Sequence, residues 1–273
     1  RAFVGILVVG LWWYGLDQQT SEILAAATML SFPTPPNLLD HKNWKPLQDP
    51  AKLYEVVTFG LGGEAYRGPP GTPRVPTRDR VEIVPLPSNL KVLREMEATA
   101  RTPRNHHMML VGDMGDGKNF LALMFARMRN QGTRVISCHE LMKEKDLFER
   151  QKMTRNPDGT YSTEDVPSEL VEGMLAGDLV ILDEFQKMTP GTRSALNRAL
   201  QKGEATLPSG QVVTFHPQAR MIMLTNQAGG IYKGQPTSAE QLDRMVAIPV
   251  DYLPPEEERT LLEWIAPKVP KPM

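Results

Sequence analysis

His107-Met108-Met109-Leu110-Val111-Gly112-Asp113-Met114-Gly115-Asp116-Gly117-Lys118-Asn119-Phe120-Leu121-Ala122-Leu123-Met124-Phe125-Ala126 decides the fold. Its first five residues form a short apolar run, as a buried strand does, and Phe120 to Ala126 continue as a helix without breakers. Between them, Gly112, Gly115, Gly117 and Lys118 have the spacing of a phosphate-binding loop. Such a loop works because closely spaced glycines turn backbone N–H groups toward an anion, while the lysine reaches the outer phosphates and the helix start adds its dipole. Asn119 stands where the motif asks for the Ser or Thr whose hydroxyl holds Mg²⁺. The predicted phosphate cradle is therefore Gly112, Asp113, Met114, Gly115, Asp116, Gly117, Lys118, Asn119 and Phe120, with the Asn119 amide or a water at the metal.

Downstream, Leu179-Val180-Ile181-Leu182 is a continuous apolar run ending in Asp183-Glu184. Continuous apolarity predicts a central parallel strand covered on both faces, and in open α/β sheets ligands bind at the carboxyl ends of the strands. There Asp183 would serve Mg²⁺ through its waters, and Glu184 would orient and deprotonate the water attacking a γ-phosphate. The alternative is that these acids only cap a helix after the strand. Arg220-Met221-Ile222-Met223-Leu224 is another strand, ending in Thr225-Asn226. Asn226 could hold the attacking water, although Asn equally suits a turn. Arg244 precedes the short strand Met245 to Pro249 and is a candidate to stabilise transferring phosphate, in cis or from a neighbouring subunit. A surface ion pair with Asp243 or Glu240 is the other reading.

Taken in this order, residues 112–118, 179–184, 225–226 and 242–244 resemble the Walker A, Walker B, sensor 1 and arginine-finger positions of AAA+ ATPases. The resemblance is to the branch containing MoxR, midasin and dynein-related modules, and to the ATPase modules of von Willebrand A domain-containing AAA+ proteins. Residues 166–178 are similar to that branch's helix before Walker B, and residues 196–210 to its hairpin before sensor 1. The resemblance spans residues 81–253. It implies a P-loop α/β fold: a three-layer αβα parallel sheet with β-hairpin insertions and a C-terminal helical lid. It further implies ATP and Mg²⁺ as cofactors, ATP hydrolysis, assembly into a ring, most often a hexamer, and remodelling of a protein partner. In that scheme Lys118 binds phosphate, Asp183 and Asn119 serve Mg²⁺, Glu184 is the base, Asn226 the sensor, and Arg244 acts in trans.

Asn156-Pro157-Asp158-Gly159 has turn chemistry between residues 148–154 and 160–165, which predicts a hairpin. Pro208-Ser209-Gly210 predicts a second between residues 204–207 and 211–215. In related ATPases the first resembles an insert projecting toward the ring pore. That makes Tyr161 and Phe215 pore candidates, against simple packing across a strand pair.

The 273 residues carry a formal net charge of -1, with 41% hydrophobic and 23% charged residues, an ordinary soluble composition with no global basic field for nucleic acid. The cluster Arg101-Thr102-Pro103-Arg104-Asn105-His106-His107 reads as a solvated surface. A single cysteine, Cys138, excludes an internal disulfide and suits a reducing, cytoplasmic setting.

Residues 2–16 are apolar and uncharged, about 15 residues where a membrane span needs about 20. Since the sequence opens on Arg1, these residues could end a longer membrane segment, with Trp12, Trp13 and Tyr14 at the interface. A signal peptide and a partner-binding helix are the competing readings. Residues 17–30 have helical spacing. From there to Pro87 the chain is rich in Pro and Gly, predicting a linker or extended arm. Ser88-Asn89 would cap a helix through Ala100, and Ile83 and Val84 would lie near the base. Residues 254–262 look like the first lid helix, with Pro267, Pro270 and Pro272 predicting a reduced or truncated lid.

The expected organisation is thus an N-terminal segment and arm (1–80), a nucleotide-binding domain (81–253) and the start of a lid (254–273). Three functions compete. The first is a ring ATPase that remodels a protein. The second is a structural or regulatory module that holds nucleotide with weak or no hydrolysis, which Asn119 favours. The third is a P-loop transferase, which would need an acceptor lid that no motif provides.

Overall fold

The computed structural model describes residues 49–62, 65–82, 84–102, 107–226 and 243–265. The predicted membrane segment (2–16) and the helix at 17–30 lie outside these residues. Two compact units are distinguished, residues 1–44 with 59–62, and residues 45–58 with 63–273. The second unit holds the parallel sheet.

Its centre is a five-stranded parallel sheet in the order β2-β5-β8-β1-β9. The strands are β1 (His107–Gly112), β2 (Thr133–Ser137), β5 (Leu179–Asp183), β8 (Arg220–Asn226) and β9 (Met245–Pro249). The three middle strands are continuous apolar runs because helices cover both faces. Side chains of a strand alternate between faces, and this alternation sorts the core in two. Met108, Leu110, Leu179, Ile181, Ile222 and Leu224 join one cluster. Met109, Val180, Leu182, Met221 and Met223 join the other. The three-layer P-loop fold expected from the sequence is present.

On the first face lie α1 (Pro50–Thr58), α2 (Pro87–Ala100) and α3 (Lys118–Met128). Helix α1 corrects the expectation of an extended arm between residue 31 and Pro87. Leu53 and Val57, one helical turn apart, are fully buried in the core. Burying such side chains stabilises by about 1.5–3 kcal/mol each. The glycine-rich sequence that follows is also tied down: Gly68 N–H donates to the Arg129 carbonyl at 2.8 Å, and Asn130 donates back to the Gly68 carbonyl at 2.9 Å.

The second face carries α4 (Glu144–Phe148), α5 (Glu169–Ala176), α6 (Pro190–Ser194) and α7 (Asn197–Lys202). Ser168 caps α5 by accepting from Val171 N–H, and Gly177 ends it in the left-handed conformation. Both predicted hairpins form, β3 (Glu149–Arg155) with β4 (Tyr161–Pro167) and β6 (Glu204–Thr206) with β7 (Val212–Thr214). In the first turn Asp158 accepts from Thr160, and Gly159 takes φ 86°. Tyr161 is 66% exposed on the first hairpin, whereas Phe215 is 7% exposed and packed into the core. Phe215 is therefore removed from the pore candidates.

The basic cluster at 101–107 is not a solvated patch where it is described. Arg101 pairs with buried Glu97 at 2.8 Å, and His107 is a buried strand residue whose Nδ1 accepts from Met221 N–H at 3.0 Å. Glu97 also holds buried Arg129 at 2.6 Å.

Candidate nucleotide site

Strand β1 delivers Gly112 to the carboxyl edge of the sheet, and residues 113–117 turn there before α3 begins at Lys118. Gly115 and Gly117 have φ of 89° and 91°, a conformation costly for residues with a Cβ. Gly112 is required for a different reason. A Cβ there would lie 1.8 Å from Asp116 Oδ2 and 2.2 Å from the Val250 carbonyl. Gly117, the N-cap of α3, has no side chain to offer, and Asp116 Oδ1 instead accepts the Lys118 N–H at 3.1 Å. Lys118 is 7% exposed, and its ammonium donates to the Asp113 carbonyl at 2.6 Å and to both Asp116 carboxylate oxygens at 2.9 Å.

Asp183 ends β5 across from Asn119. Its Oδ2 accepts from Asn119 Nδ2 at 3.2 Å, and its Oδ1 accepts from Glu184 N–H at 2.9 Å. Glu184 has a left-handed backbone, φ 55° and ψ 38°, which for a residue with a Cβ costs roughly 1–2 kcal/mol. The buried Phe185 and Met188 anchor the short helical turn that follows. The Glu184 side chain caps nothing and is half-exposed, paired with Lys187 at 2.7 Å. The reading of Glu184 as a mere helix cap therefore has no hydrogen bond to support it. Beneath these acids, buried Cys138 donates its backbone N–H to the Asp183 carbonyl at 2.9 Å.

Asn226 ends β8 beside Gly112, in parallel register. Arg244 is the one candidate that the sheet does not bring to this edge. It precedes β9, whose first residue Met245 pairs with His107, the first residue of β1. Arg244 thus stands at the amino edge, about 16 Å of strand away from the loop. The cis reading of Arg244 is corrected accordingly.

A cavity of about 590 Å³ opens beside the loop at residues 115–117, lined by Val84, Asn89, Phe120, Leu121, Leu261 and Trp264 among others. Val84 lines it, while Ile83 lies outside the described residues. One wall is α8 (Pro255–Ile265), the predicted lid helix, with Leu261 and Trp264 on one face at helical spacing. Glu257 on the same helix is 4% exposed and accepts from Ser88 N–H at 3.1 Å and Ser88 Oγ at 2.9 Å. Helix α2 starts at Pro87, so Ser88 lies inside its first turn and Glu257 supplies the cap that Ser88-Asn89 was expected to provide. Asn89 instead donates to the Val84 carbonyl at 3.1 Å.

Sequence reasoning missed Glu257, Trp264 and Tyr252, whose hydroxyl donates to the Met114 carbonyl at 2.8 Å and pins the loop. The only available signals were Pro87, which favours the first helical position, and the apolar spacing of Leu261 and Trp264.

A parallel sheet with this glycine loop, paired acids at the end of β5 one strand beyond β8, and an apolar cavity beside the helix start defines a P-loop nucleotide-binding domain. Residues 107–245 match the AAA domain (dynein-related subfamily), and the chain belongs to that family. It is similar to von Willebrand factor A domain-containing protein 8 of Mus musculus, 27% identical over 184 residues, which are 61% of this chain and 9% of that protein. The chain thus spans under a tenth of the length of that relative. A solved structure described as a "putative ATPase" from Cytophaga hutchinsonii superimposes with TM-score 0.49 at 18% identity, covering 65% of this chain and 50% of that one.

Proposed function

We propose that this AAA-family ATPase domain binds Mg·ATP and hydrolyses it within a ring of like subunits, using the cycle to remodel a protein partner. One observation carries the reading: the structure divides the candidate groups between two edges of the sheet. Lys118, Asn119, Asp183, Glu184 and Asn226 gather at the carboxyl edge, while Arg244 stands at the amino edge. An arginine so placed cannot serve its own loop, and a neighbouring copy is the partner it fits.

The residues present suit Mg·ATP. Gly115 and Gly117 leave open space where a Cβ would project, so backbone can approach phosphate closely. Among the described residues no group of three or more His, Cys, Asp or Glu could hold a metal alone. That agrees with Mg²⁺, which takes one or two protein oxygens and completes its shell with phosphates and water. Asp183 would supply one oxygen. A half-turn of the Asn119 amide would bring its Oδ1 forward as a second. The metal would neutralise charge developing on the phosphates. Glu184 would leave Lys187 to accept a proton from the attacking water, Asn226 would orient that water, and Val84, Leu261 and Trp264 would bury the base.

The test is ATPase turnover against protein concentration for the parent chain, Glu184→Gln and Asn119→Thr. Turnover that rises with concentration and is lost in Glu184→Gln is expected. A parent rate equal to that of Glu184→Gln at saturating protein and Mg·ATP would sink hydrolysis and favour the second reading, a nucleotide-holding module. Asn119 is the observation behind that alternative, and Asn119→Thr should bind Mg²⁺ more tightly.

A further inference from the structure

The Lys118 ammonium has three hydrogens, and each is matched by an acceptor within the loop, the Asp113 carbonyl and the two oxygens of Asp116. Asp116 Oδ1 also accepts the Lys118 backbone N–H at 3.1 Å, at the first residue of α3. These are the donors a bound phosphate chain would use. Asp116 therefore makes toward Lys118 the contacts that define the loop's purpose, with a carboxylate in place of a phosphate.

The placement is built in. The Asp116 side chain is only 2% exposed, and its Oδ2 fits against Gly112 because that residue has no side chain. Charge points the same way. Residues 112–119 contain Asp113 and Asp116 against Lys118 alone, so a loop meant for a polyanion is itself net negative. A phosphate can take the lysine only by displacing a charged, desolvated and doubly hydrogen-bonded partner.

We propose that Asp116 is an internal competitor for Lys118 that raises the affinity threshold every phosphate ligand must pass, so that phosphate alone is an inadequate ligand. Inorganic pyrophosphate exchanges one charged pair for another and gains little. A Mg-nucleotide also buries its base in the cavity of Val84, Phe120, Leu261 and Trp264, and that added contact moves Asp116 aside. The proposal rests on the nucleotide-binding reading above.

Equilibrium binding of Mg·ATP, Mg·ADP and Mg·pyrophosphate by calorimetry tests it, using the whole chain, Asp116→Asn, Asp116→Ser and Lys118→Ala. Asp116→Asn keeps the volume and removes the charge. Asp116→Ser empties the position and gives a second measure should the amide misfold the loop, with circular dichroism reporting on folding. The expected result is a tightening of about tenfold or more for all three ligands in both folded Asp116 variants, bringing pyrophosphate into the measurable range. Nucleotide affinity equal to or below the parent's in the folded variants overturns the proposal. If Lys118→Ala meanwhile loses nucleotide, the binding reading survives that failure. No nucleotide binding by the parent or any variant, or equal binding by Lys118→Ala and the parent, would overturn the binding reading itself.

Discussion

Asn226 and Gly112 are register partners, the last residues of two adjacent parallel strands, so the amide sits at the mouth of the glycine loop. On the proposed reading it would lie close to the reacting end of the triphosphate and apart from the base. Replacing it with Ala should lower kcat by about 10- to 100-fold while nucleotide affinity stays within about twofold. Steady-state ATPase assays beside equilibrium binding check this. A loss confined to affinity would make Asn226 an ordinary binding residue.

Arg244 calls for a mixing experiment. Arg244→Ala and Glu184→Gln should each be nearly inactive alone, and co-assembled mixtures should regain part of the parental rate, since a subunit with intact Glu184 can then face one with intact Arg244. No recovery in assemblies shown to contain both variants would remove Arg244 from the site.

The Glu257 carboxylate satisfies two donors of Ser88, the backbone N–H in the first turn of α2 and the hydroxyl, in a nearly solvent-free place. Glu257→Ala leaves both without their acceptor and should destabilise the domain by about 1–3 kcal/mol in urea unfolding. Because α8 forms a cavity wall, nucleotide affinity should fall as well. Unchanged stability and affinity would show that α8 docks without this carboxylate.

Burial pushes the Cys138 thiol up to about 12, and the nearby Asp183 and Glu184 carboxylates add to the effect. The folded state therefore holds this proton more tightly than the unfolded chain, whose thiol has a value near 9. The resulting stability is fully present below that value and is lost as pH rises toward 12. Its full size is on the order of 4 kcal/mol at 1.36 kcal/mol per unit. Unfolding at pH 8 to 11 should show a steeper alkaline loss in the parent than in Cys138→Ala. Below pH 8 the native thiol should resist alkylation. Parallel alkaline curves would show that Cys138 does not titrate as a buried group.

The strand ends were legible because their signals are local. Glycine spacing, an apolar run ending in two acids, and an apolar run ending in Asn226 each fit within one short window, and β1, β5 and β8 appear where those windows fall. Helix α1 was not legible. Its nine residues carry only Leu53 and Val57 as fully buried anchors and sit among prolines and glycines, so tertiary burial decides the conformation there. Glu257 and Tyr252 were hidden for another reason. Their partners, Ser88 and Met114, are more than a hundred residues distant, and no periodicity encodes such a pairing. Arg244 was found by its position before a strand, but which edge it occupies required the β1–β9 register.

Tyr252 pins the loop, the Val250 N–H closes onto the Val111 carbonyl, and Glu257 fastens α8 to Ser88, so the nucleotide cavity is finished by the last described stretch of chain. During synthesis at roughly 5–20 residues per second, Lys118 would wait several seconds or longer for these residues to emerge. Until β9 arrives, β1 has an unpaired edge of the kind that invites wrong pairing. Nucleotide capture would then come late on the folding pathway, marking chains whose sheet is complete and whose edge is already covered.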